Sequence, residues 1–416
     1  MSDSLRVAVA GAGLGGLCLA QGLLRAGVDV DVYERDAALD SRRQGYRLHV
    51  DARAALALEK CLPPRLFRLF LATTGRPGSR VTVLSGRLRV LHETPAGPSR
   101  DPDDPATLST SVDRRTLREI LAAGLGDRIH YCHELTGYDQ DPDGVTLRFA
   151  DGSTTRADVL VGADGVGSAV RRVLLPHARQ VDTGTRIIYG KTPLDDAARQ
   201  LVPSALYDGF TAIVGGHVGL AAGLVEFRRR PVDAAAAIAP DVRLSPAGDY
   251  LMWALSARRD RLPVSDGNLA EADAATLHSV ACRAIRSWHP DLRALLGAAA
   301  VRETFLVRVR SSQRVPAWIP SRVTLLGDAI HTMSPAGGSG ANTALMDAAQ
   351  LCDALTGGSD LVAAIGEYEE RMRAYGFAAV DASRQAEAET ARRRSPLWLW
   401  LVDHLPQVGG TGRRTR

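Results

Sequence analysis

The sequence has little cysteine, almost no lysine, hardly any net charge and no long apolar run, and each shortage excludes a class of protein. Its five cysteines are scattered without a C-x-x-C pair. The sequence therefore predicts neither a metal site nor a disulfide framework, and it favours a reduced, cytoplasmic compartment. With 51 basic and 47 acidic residues, a net charge of +4, it argues against a nucleic-acid partner.

No apolar run approaches the length that spans a bilayer, so we expect no transmembrane segment. The chain reaches a predicted strand within a few residues of Met1, which leaves no room for a signal peptide. At 416 residues and 45% hydrophobic content, it predicts two or three domains with ordinary cores. No internal repeat is visible.

A strand, a glycine-rich turn, a helix and a second strand fill the first 35 residues. The apolar run at residues 6–10 is typical of a buried parallel strand, and the periodic apolar residues that follow predict a helix ending near Gly27. A second strand is predicted over residues 28–33. The order is that of a βαβ unit.

The turn of this unit carries the pattern G-x-G-x-x-G. Gly11 allows a tight turn, Gly13 lets the backbone approach a pyrophosphate, and Gly16 lets the helix pack on the strand. The helix N-terminus presents free N–H groups to phosphates, and Glu34 can accept hydrogen bonds from a ribose. The pattern predicts a dinucleotide site, and by itself it does not choose between NAD and FAD.

The arginines at a second predicted helix allow two interpretations. Asp113 is a good cap for a helix over residues 114–123. Arg114 and Arg115 fall in its first turn, where the helix dipole disfavours cations. Either an anion binds at that end, or the two arginines are simply solvated.

Later segments alternate between buried strands and turns rich in Gly and Asp. Residues 158–165 and 323–331 each read as a buried strand that opens into such a turn, and a Gly-rich loop over 335–342 precedes a long helix. A strand, a Gly-rich loop and a helix start make a second platform for an anion or an aromatic ring. Between them, residues 179–270 are β-rich, and 271–288 predict one helix.

Three motifs together resemble the FAD-dependent monooxygenases of the para-hydroxybenzoate hydroxylase type. They are Gly11-x-Gly13-x-x-Gly16 with Glu34-Arg35, Val161-Gly162-Ala163-Asp164-Gly165 with Ser168 and Arg171, and Gly327-Asp328-Ala329-x-His331 through Pro335 to Asp347. The resemblance implies an α/β fold: a Rossmann-like FAD-binding domain with GxGxxG, DG and GD motifs, an inserted β-rich substrate domain and a helical C-terminal segment.

The implied domains follow the order of the motifs. Residues 1–178 form the first part of the FAD-binding domain, with a β-hairpin excursion near 76–105 towards the substrate domain. Residues 179–270 form the substrate domain, 271–385 the second part of the FAD-binding domain, and 386–416 a C-terminal helix and basic tail.

The resemblance also implies which residues bind non-covalent FAD. Asp328 contacts the ribityl chain, and the loop that follows it faces the flavin ring. Arg114 matches an arginine that reaches FAD, which favours the first of the two interpretations above. The full set is Gly11, Gly13, Gly15, Gly16, Glu34, Arg35, Arg43, Arg114, Asp164, Asp328, Pro335, Gly338, Gly340, Ala341 and Asn342. Ser339 departs from the family's usual glutamine.

The implied activity uses NADPH or NADH and O₂ to hydroxylate or epoxidise a small aromatic or polycyclic, natural-product-like substrate through a flavin C4a-hydroperoxide. The flavin carries the chemistry, so no catalytic side chain is assigned, and secondary metabolism is the expected setting. Tyr189 and His217 are the candidates to touch substrate, whereas His331 is predicted to be structural. We expect a monomer or a homodimer.

Alternatives of the same fold stay open at this point. One is a flavin-dependent halogenase or a reductase. Trp398-Leu-Trp400 resembles the first half of a halogenase motif, and Lys60 lies early in the chain, where halogenases often have a catalytic lysine. Another is a flavin-binding sensor without activity. The apolar segment 395–406 fits either a packed terminal helix or a surface for a membrane or partner.

Overall fold

Two sheets and the strands between them position the candidate site. The computed structural model describes residues 5–41, 45–95, 101–358 and 360–392, which form seventeen β-strands and thirteen α-helices. The strands are β1 (Arg6–Ala10), β2 (Asp29–Tyr33), β3 (Arg47–Asp51), β4 (Arg80–Ser85), β5 (Val90–Pro95), β6 (Ser109–Asp113), β7 (Ile129–His130), β8 (Leu135–Asp141), β9 (Gly144–Phe149), β10 (Thr154–Ala157), β11 (Val159–Gly162), β12 (Gln180–Pro193), β13 (Phe210–Gly215), β14 (Val218–Val225), β15 (Tyr250–Arg258), β16 (Phe305–Ser312) and β17 (Val323–Leu325). The helices are α1 (Leu14–Arg25), α2 (Ala52–Cys61), α3 (Pro64–Ala72), α4 (Arg114–Ala122), α5 (Ala169–Leu174), α6 (Asp196–Leu201), α7 (Pro231–Ile238), α8 (Asp266–Glu271), α9 (Ala274–Ala284), α10 (Pro290–Gly297), α11 (Asp328–His331), α12 (Gly340–Thr356) and α13 (Leu361–Arg392).

The first sheet is parallel, with the order β17-β11-β1-β2-β7. β1 lies at its centre and pairs with β2 on one side and with β11 on the other. All strands of a parallel sheet end at the same edge, so the turns after them meet there. Gly11, Glu34, Ala163 and Gly327 therefore converge at the carboxyl edge of this sheet.

The turn after β1 needs glycine for two different reasons. Gly11 has a φ of +106°, which disfavours any residue with a side chain, and its N–H donates to the Tyr33 carbonyl (2.8 Å). A Cβ on Gly16 would overlap the carbonyl oxygen of Gly11. These contacts confirm the predicted βαβ unit and let α1 begin directly against β1.

The second sheet has seven strands in the order β16-β12-β15-β14-β13-β4-β5. Its neighbours are antiparallel except for β13 and β4. One face packs on α9 and α10 around the buried Trp253 and Trp288, and Tyr189 and Met252 belong to a cluster on the other face. The sheet takes in strands from the predicted hairpin excursion and from β16, and the domain boundaries themselves stay a prediction.

The two-stranded sheet of β3 and β6 lies between the two larger units. β3 contacts α12, and both strands contact β14. The register pairs Arg47 with Asp113 and Asp51 with Ser109. Side chains of this small sheet therefore stand at the boundary between the parallel sheet and the seven-stranded sheet.

The predicted helix over residues 271–288 is present but shorter, because α9 spans Ala274–Ala284. The chain forms α8 and α9 with a break between them. The Asp273 carboxylate accepts a hydrogen bond from the Thr276 N–H (2.8 Å) and caps α9. A strong N-cap residue starts a new helix here in place of continuing the old one.

No helix within the described ranges combines the length and the apolar character needed to cross a membrane. Two of the predicted features, Arg43 and the apolar segment 395–406, lie outside the described residues.

Candidate active site

A cavity of about 1380 Å³ runs from the carboxyl edge of the parallel sheet to the face of the seven-stranded sheet. Its wall includes Gly11 and Glu34 at one end and Phe210 and Met252 at the other. Pockets for a single small ligand measure about 300–1,000 Å³. The volume therefore accommodates more than one small molecule.

The first end is formed by the glycine-rich turn and the start of α1. Gly13 is the N-cap residue of α1, and no side chain of the described residues caps this helix. The first N–H groups of a helix without a cap carry partial positive charge and are free to bind an anion. Gly15 also packs closely, since a Cβ there would lie 2.7 Å from the Leu326 side chain.

Glu34 is buried at the tip of β2 and is already bonded to the protein. One carboxylate oxygen accepts from the Ala12 N–H (2.8 Å) and the other from the Asp36 N–H (3.0 Å). Carboxylate oxygens have further lone pairs, so acceptance from a ribose stays possible as predicted. Arg35, next to it, is exposed at the cavity rim.

Arg118 is a residue of this end that sequence reasoning missed. Its guanidinium donates to the carbonyls of Ala12 (2.8 Å) and Leu39 (2.7 Å) and lies 3.8 Å from Glu34. The sequence feature that indicates Arg118 is its spacing of four residues from Arg114, which places both side chains on one face of α4.

The two arginines at the start of α4 have different surroundings. Arg115 is exposed and pairs with Glu119 (3.0 Å). Arg114 lines the cavity, and its guanidinium lies 5.7 Å from the ring centroid of Tyr46. This guanidinium has no hydrogen bond or ion pair with the described residues, so it is available to an anion in the cavity.

Asp328 lines the middle of the cavity. Its carboxylate accepts no hydrogen bond from the described part of the chain, although its side chain is accessible from the cavity. The surrounding protein desolvates the group, and this burial raises the pKa of the Asp328 carboxyl. The nearby charge of Arg114 acts in the opposite direction.

A buried network beneath Asp328 fixes its position. Asp347 accepts from the Gly327 N–H (2.7 Å), from Nε2 of His331 (2.6 Å) and from the Tyr375 hydroxyl (2.6 Å). His331 is fully enclosed, as expected for a structural residue.

The glycine-rich loop before α12 forms another part of the wall. Pro335, Gly338, Gly340 and Ala341 line the cavity. The Asn342 amide instead binds β3, since its Nδ2 donates to the His49 carbonyl (2.9 Å) and its Oδ1 accepts from the Asp51 N–H (3.0 Å). Asn342 therefore holds the loop in place through its side chain.

Asp164 lines the cavity after β11. Its Oδ2 accepts from the Ala169 N–H (2.6 Å) at the start of α5. Its Oδ1 is buried without a hydrogen-bond partner in the described structure, and burial raises the pKa of this carboxyl. A donor supplied by a ligand would satisfy the free oxygen.

Aromatic and apolar side chains dominate the far end. Tyr189 stacks on Phe305 with ring centroids 5.3 Å apart and lies 5.1 Å from the Tyr46 ring. Burial raises the pKa of the Tyr189 phenol. His217, the second predicted substrate contact, lies in the exposed turn between β13 and β14 and is not part of the cavity wall.

Lys60 is also remote from the cavity. It lies at the end of α2 and forms an ion pair with Asp353 on the protein surface.

The residues of this cavity fit an FAD molecule. A helix start that no described side chain caps suits phosphates. The buried Oδ1 of Asp164 and the carboxylate of Asp328, which accepts no hydrogen bond from the described residues, suit hydroxyl or N–H donors. Arg114 suits an anionic or electron-rich group. The cavity also has room beyond one ligand.

Comparison with known proteins agrees with this fit. A family described as "FAD binding domain" matches residues 283–383. The chain is 32% identical over 380 residues to the 3-amino-4-hydroxybenzoate 2-monooxygenase PtnB3 of Streptomyces platensis, covering 88% of this chain and 83% of that protein. It is 36% identical over 395 residues to the dual O-methyltransferase/FAD-dependent monooxygenase CTB3 of Cercospora beticola, covering 89% of this chain. It spans only 44% of the length of that relative.

A solved structure has the same architecture. It belongs to a Photorhabdus luminescens protein proposed to be an FAD-containing monooxygenase, and it superposes with a TM-score of 0.77 at 33% identity. The match covers 92% of this chain and 98% of that one. The α/β fold with a parallel sheet, β-rich sheets and C-terminal helices is therefore confirmed.

Proposed function

This chain belongs to the FAD-dependent monooxygenases, a family of oxidoreductases, and we propose that it inserts one oxygen atom of O₂ into a small aromatic or polycyclic substrate at the expense of NADPH or NADH. Hydroxylation is the preferred outcome and epoxidation the second. The observation that carries the proposal is the continuous cavity that joins the glycine-rich turn to an aromatic wall.

The residues of the first end would hold the adenosine diphosphate part of the cofactor. The start of α1 would bind the pyrophosphate through its N–H groups, and Glu34 would accept from the ribose. Arg118 keeps the turn and Glu34 in fixed geometry through its bonds to Ala12 and Leu39. These bonds lie within the protein and need no ligand, and such preorganisation lowers the cost of binding.

The middle of the cavity would orient the reactive part. Asp328 would accept hydrogen bonds from ribityl hydroxyls, and Arg114 would face an electron-rich group nearby. Bound FAD supplies hydride acceptance and oxygen activation that no side chain of this chain can perform. The protein orients the substrate and excludes water, which suppresses side reactions.

The aromatic far end supports a planar substrate. The rings of Tyr46 and Tyr189 and the side chain of Met252 offer an apolar surface. One relative is named for 3-amino-4-hydroxybenzoate, and another is named as a dual O-methyltransferase/FAD-dependent monooxygenase. We therefore favour aromatic substrates with oxygen substituents, of the kind found in secondary metabolism.

The nicotinamide co-substrate would bind transiently. The sequence holds a single G-x-G-x-x-G, so a second dinucleotide fold is not proposed. NADPH and NADH are both compatible with this arrangement.

The test begins with the purified protein. We expect it to carry FAD that heat releases from the denatured polypeptide. In the presence of an accepted aromatic compound, oxidation of NADPH or NADH should accelerate, and labelled O₂ should place one labelled atom in the product. A product that forms only with chloride would instead support a halogenase, and flavin that neither nicotinamide reduces would support a sensor.

A further inference from the structure

Arg47 places a positive charge in the cavity without an anionic partner. It begins β3 and lines the cavity wall. Its Nε is buried and has no hydrogen-bond partner, and its guanidinium forms no ion pair with any residue the structure describes. A desolvated charge without a partner is costly, so proteins keep one where a ligand compensates it.

The neighbours of Arg47 belong to the seven-stranded sheet. Its guanidinium carbon lies 5.8 Å from the ring centroid of Phe210 on β13. A Cβ on Gly223 of β14 would lie 2.8 Å from Cδ of Arg47, so this glycine leaves the space that the arginine occupies. Tyr250 is also close, but its hydroxyl already donates to Asp113 (2.9 Å).

The pKa of Arg47 reflects its desolvated position. Burial lowers the pKa of the Arg47 guanidinium to about 10, so the group is still charged at neutral pH. Tyr250 supplies the only opposing electrostatic influence identified among the described residues, and no carboxylate contributes. The charge also helps to lower the pKa of His49, after the larger effect of burial.

We infer that Arg47 binds an anionic oxygen, a carboxylate or a phenolate, on the aromatic substrate. The inference rests on the proposed function for the position of the substrate. The cofactor phosphates already have the start of α1, at the edge of the other sheet, whereas Arg47 packs on β13 and β14. The planar guanidinium can donate two parallel hydrogen bonds to such a group, which adds geometric selectivity.

The test measures a preference for anions in the FAD-loaded protein by calorimetry. Each probe pair keeps the aromatic ring and replaces the anionic group with a neutral one of similar size: 4-hydroxybenzoate against 4-hydroxybenzamide, 2-naphthoate against 2-naphthamide, and 4-nitrophenolate against 4-nitroanisole. We expect the wild type to favour the anion of at least one pair about ten- to a hundredfold, as hydrogen bonds to a charged group allow. The carboxylate and phenolate pairs distinguish the two sources of the anionic oxygen.

Arg47→Gln should abolish this preference, while Arg47→Lys keeps part of it. Arg76→Gln is the matched control, because Arg76 lines the same cavity with an exposed side chain, and it should keep the preference. Gly223→Ala should displace Arg47 without removing its charge and reduce the preference less. Affinity for FAD should stay unchanged in all four variants.

A stability measurement guards against a trivial loss. If Arg47 awaits a ligand, the melting temperature of Arg47→Gln without ligand equals or exceeds that of the wild type. No anion preference in any wild-type pair, an unchanged preference in Arg47→Gln, a lower melting temperature or a weaker FAD affinity would each overturn the inference. Anion preference without oxygenated product would instead contradict the proposed function and leave this inference standing.

Discussion

The two ends of the cavity are built in opposite ways. At the glycine-rich turn, the side chains of Glu34 and Arg118 form hydrogen bonds within the protein. Their partners are the backbone groups of Ala12, Asp36 and Leu39. At the seven-stranded sheet, the buried Nε of Arg47 has no hydrogen-bond partner among the residues that the structure describes. The polar side chains of the first end are therefore held by the protein, whereas Arg47 at the second end lacks a described hydrogen-bonding partner.

This difference separates stability from recognition. A polar group bonded within the protein stabilises the fold, so its removal leaves buried donors or acceptors unsatisfied. A polar group without a protein partner costs stability, and its removal weakens ligand binding alone. Four tests compare residues that are hydrogen-bonded within the protein with residues whose polar groups we assign to a ligand.

The largest effect is expected at Asp328 and the buried network beneath it, where two carboxylates differ in this way. Asp347 accepts from Gly327, His331 and Tyr375, so Asp347→Ala leaves three buried donors without an acceptor. We expect it to lower the free energy of unfolding of the apo-protein by about 3–5 kcal/mol. Denaturant unfolding without FAD measures this loss.

Asp328→Ala is the matched variant. Because burial raises the pKa of Asp328 and no described residue donates to it, the apo-protein should be as stable as the wild type. Its affinity for FAD should fall roughly tenfold, as expected for one lost charge-assisted hydrogen bond. A destabilised Asp328→Ala apo-protein with normal FAD affinity would falsify the assignment of this carboxylate to the cofactor.

The second test compares two glycines of the turn. A Cβ on Gly16 would overlap the carbonyl of Gly11, whereas a Cβ on Gly13 would lie 4.0 Å from the Ala163 carbonyl oxygen, which is ordinary van der Waals contact. Gly16→Ala should therefore cost about 1–3 kcal/mol of apo-protein stability. Gly13→Ala should leave that stability within about 1 kcal/mol and lower FAD affinity at least tenfold.

Thermal melting of the apo-proteins and fluorescence titration with FAD separate the two losses. If both glycine variants were equally stable and bound FAD equally well, the turn would not approach a pyrophosphate at Gly13.

Much of the first end was predictable because its signals are local. The turn, the helix and the strand of the βαβ unit are consecutive, and the acid follows at the strand tip, so Gly11 and Glu34 could be found from the order of residues. Parallel strand ends then brought Asp164 and Asp328 to the same edge. The assignment of these two residues to the cofactor came from the resemblance of their motifs to the family.

The second end was not predictable in the same way. Arg47 and Phe210 come from separate strands, and their proximity depends on how β3 meets β13 and β14. Tyr189 lines the cavity and His217 does not, although both lie in the β-rich region. The alternation of a strand gives the face of a side chain but not what lies opposite that face.

The third test concerns Glu34, which combines both kinds of role. Glu34→Ala removes the acceptor of the Ala12 and Asp36 N–H groups and the proposed acceptor of the ribose. FAD affinity should fall roughly ten- to a hundredfold, and apo-protein stability should fall by about 1–3 kcal/mol. Glu34→Gln keeps one acceptor oxygen and should show smaller losses in both measurements.

FAD titration and denaturant unfolding are the two readouts for Glu34. An unchanged dissociation constant for FAD, combined with the stability loss, would assign Glu34 to the protein alone.

The last test concerns the pH dependence of stability, at a carboxylate that lies at neither end of the cavity. Glu369 on α13 is buried and accepts from the Thr324 hydroxyl (2.8 Å). Burial raises the pKa of Glu369 to about 7. Its carboxyl group therefore keeps a proton in the folded protein at pH values where the unfolded chain has lost it.

The sign of the pH dependence follows from this difference in bound protons. Below pH of about 4.5 both states hold the proton. Between about 4.5 and 7 the folded state holds more protons than the unfolded state, so stability falls as pH rises, by at most about 1.4 kcal/mol per pH unit. Above this range the contribution is constant.

Glu369→Gln should remove this slope, because glutamine keeps an acceptor for Thr324 and does not titrate. Glu370→Gln is the control, since Glu370 is the next residue of α13 and is exposed. Denaturant unfolding of the three apo-proteins at several pH values between 5 and 8 gives the comparison. If Glu369→Gln kept the wild-type slope of stability against pH, other groups would cause that slope. If the slope disappeared and the affinity for FAD were unchanged, Glu369 would contribute to stability and not to cofactor binding.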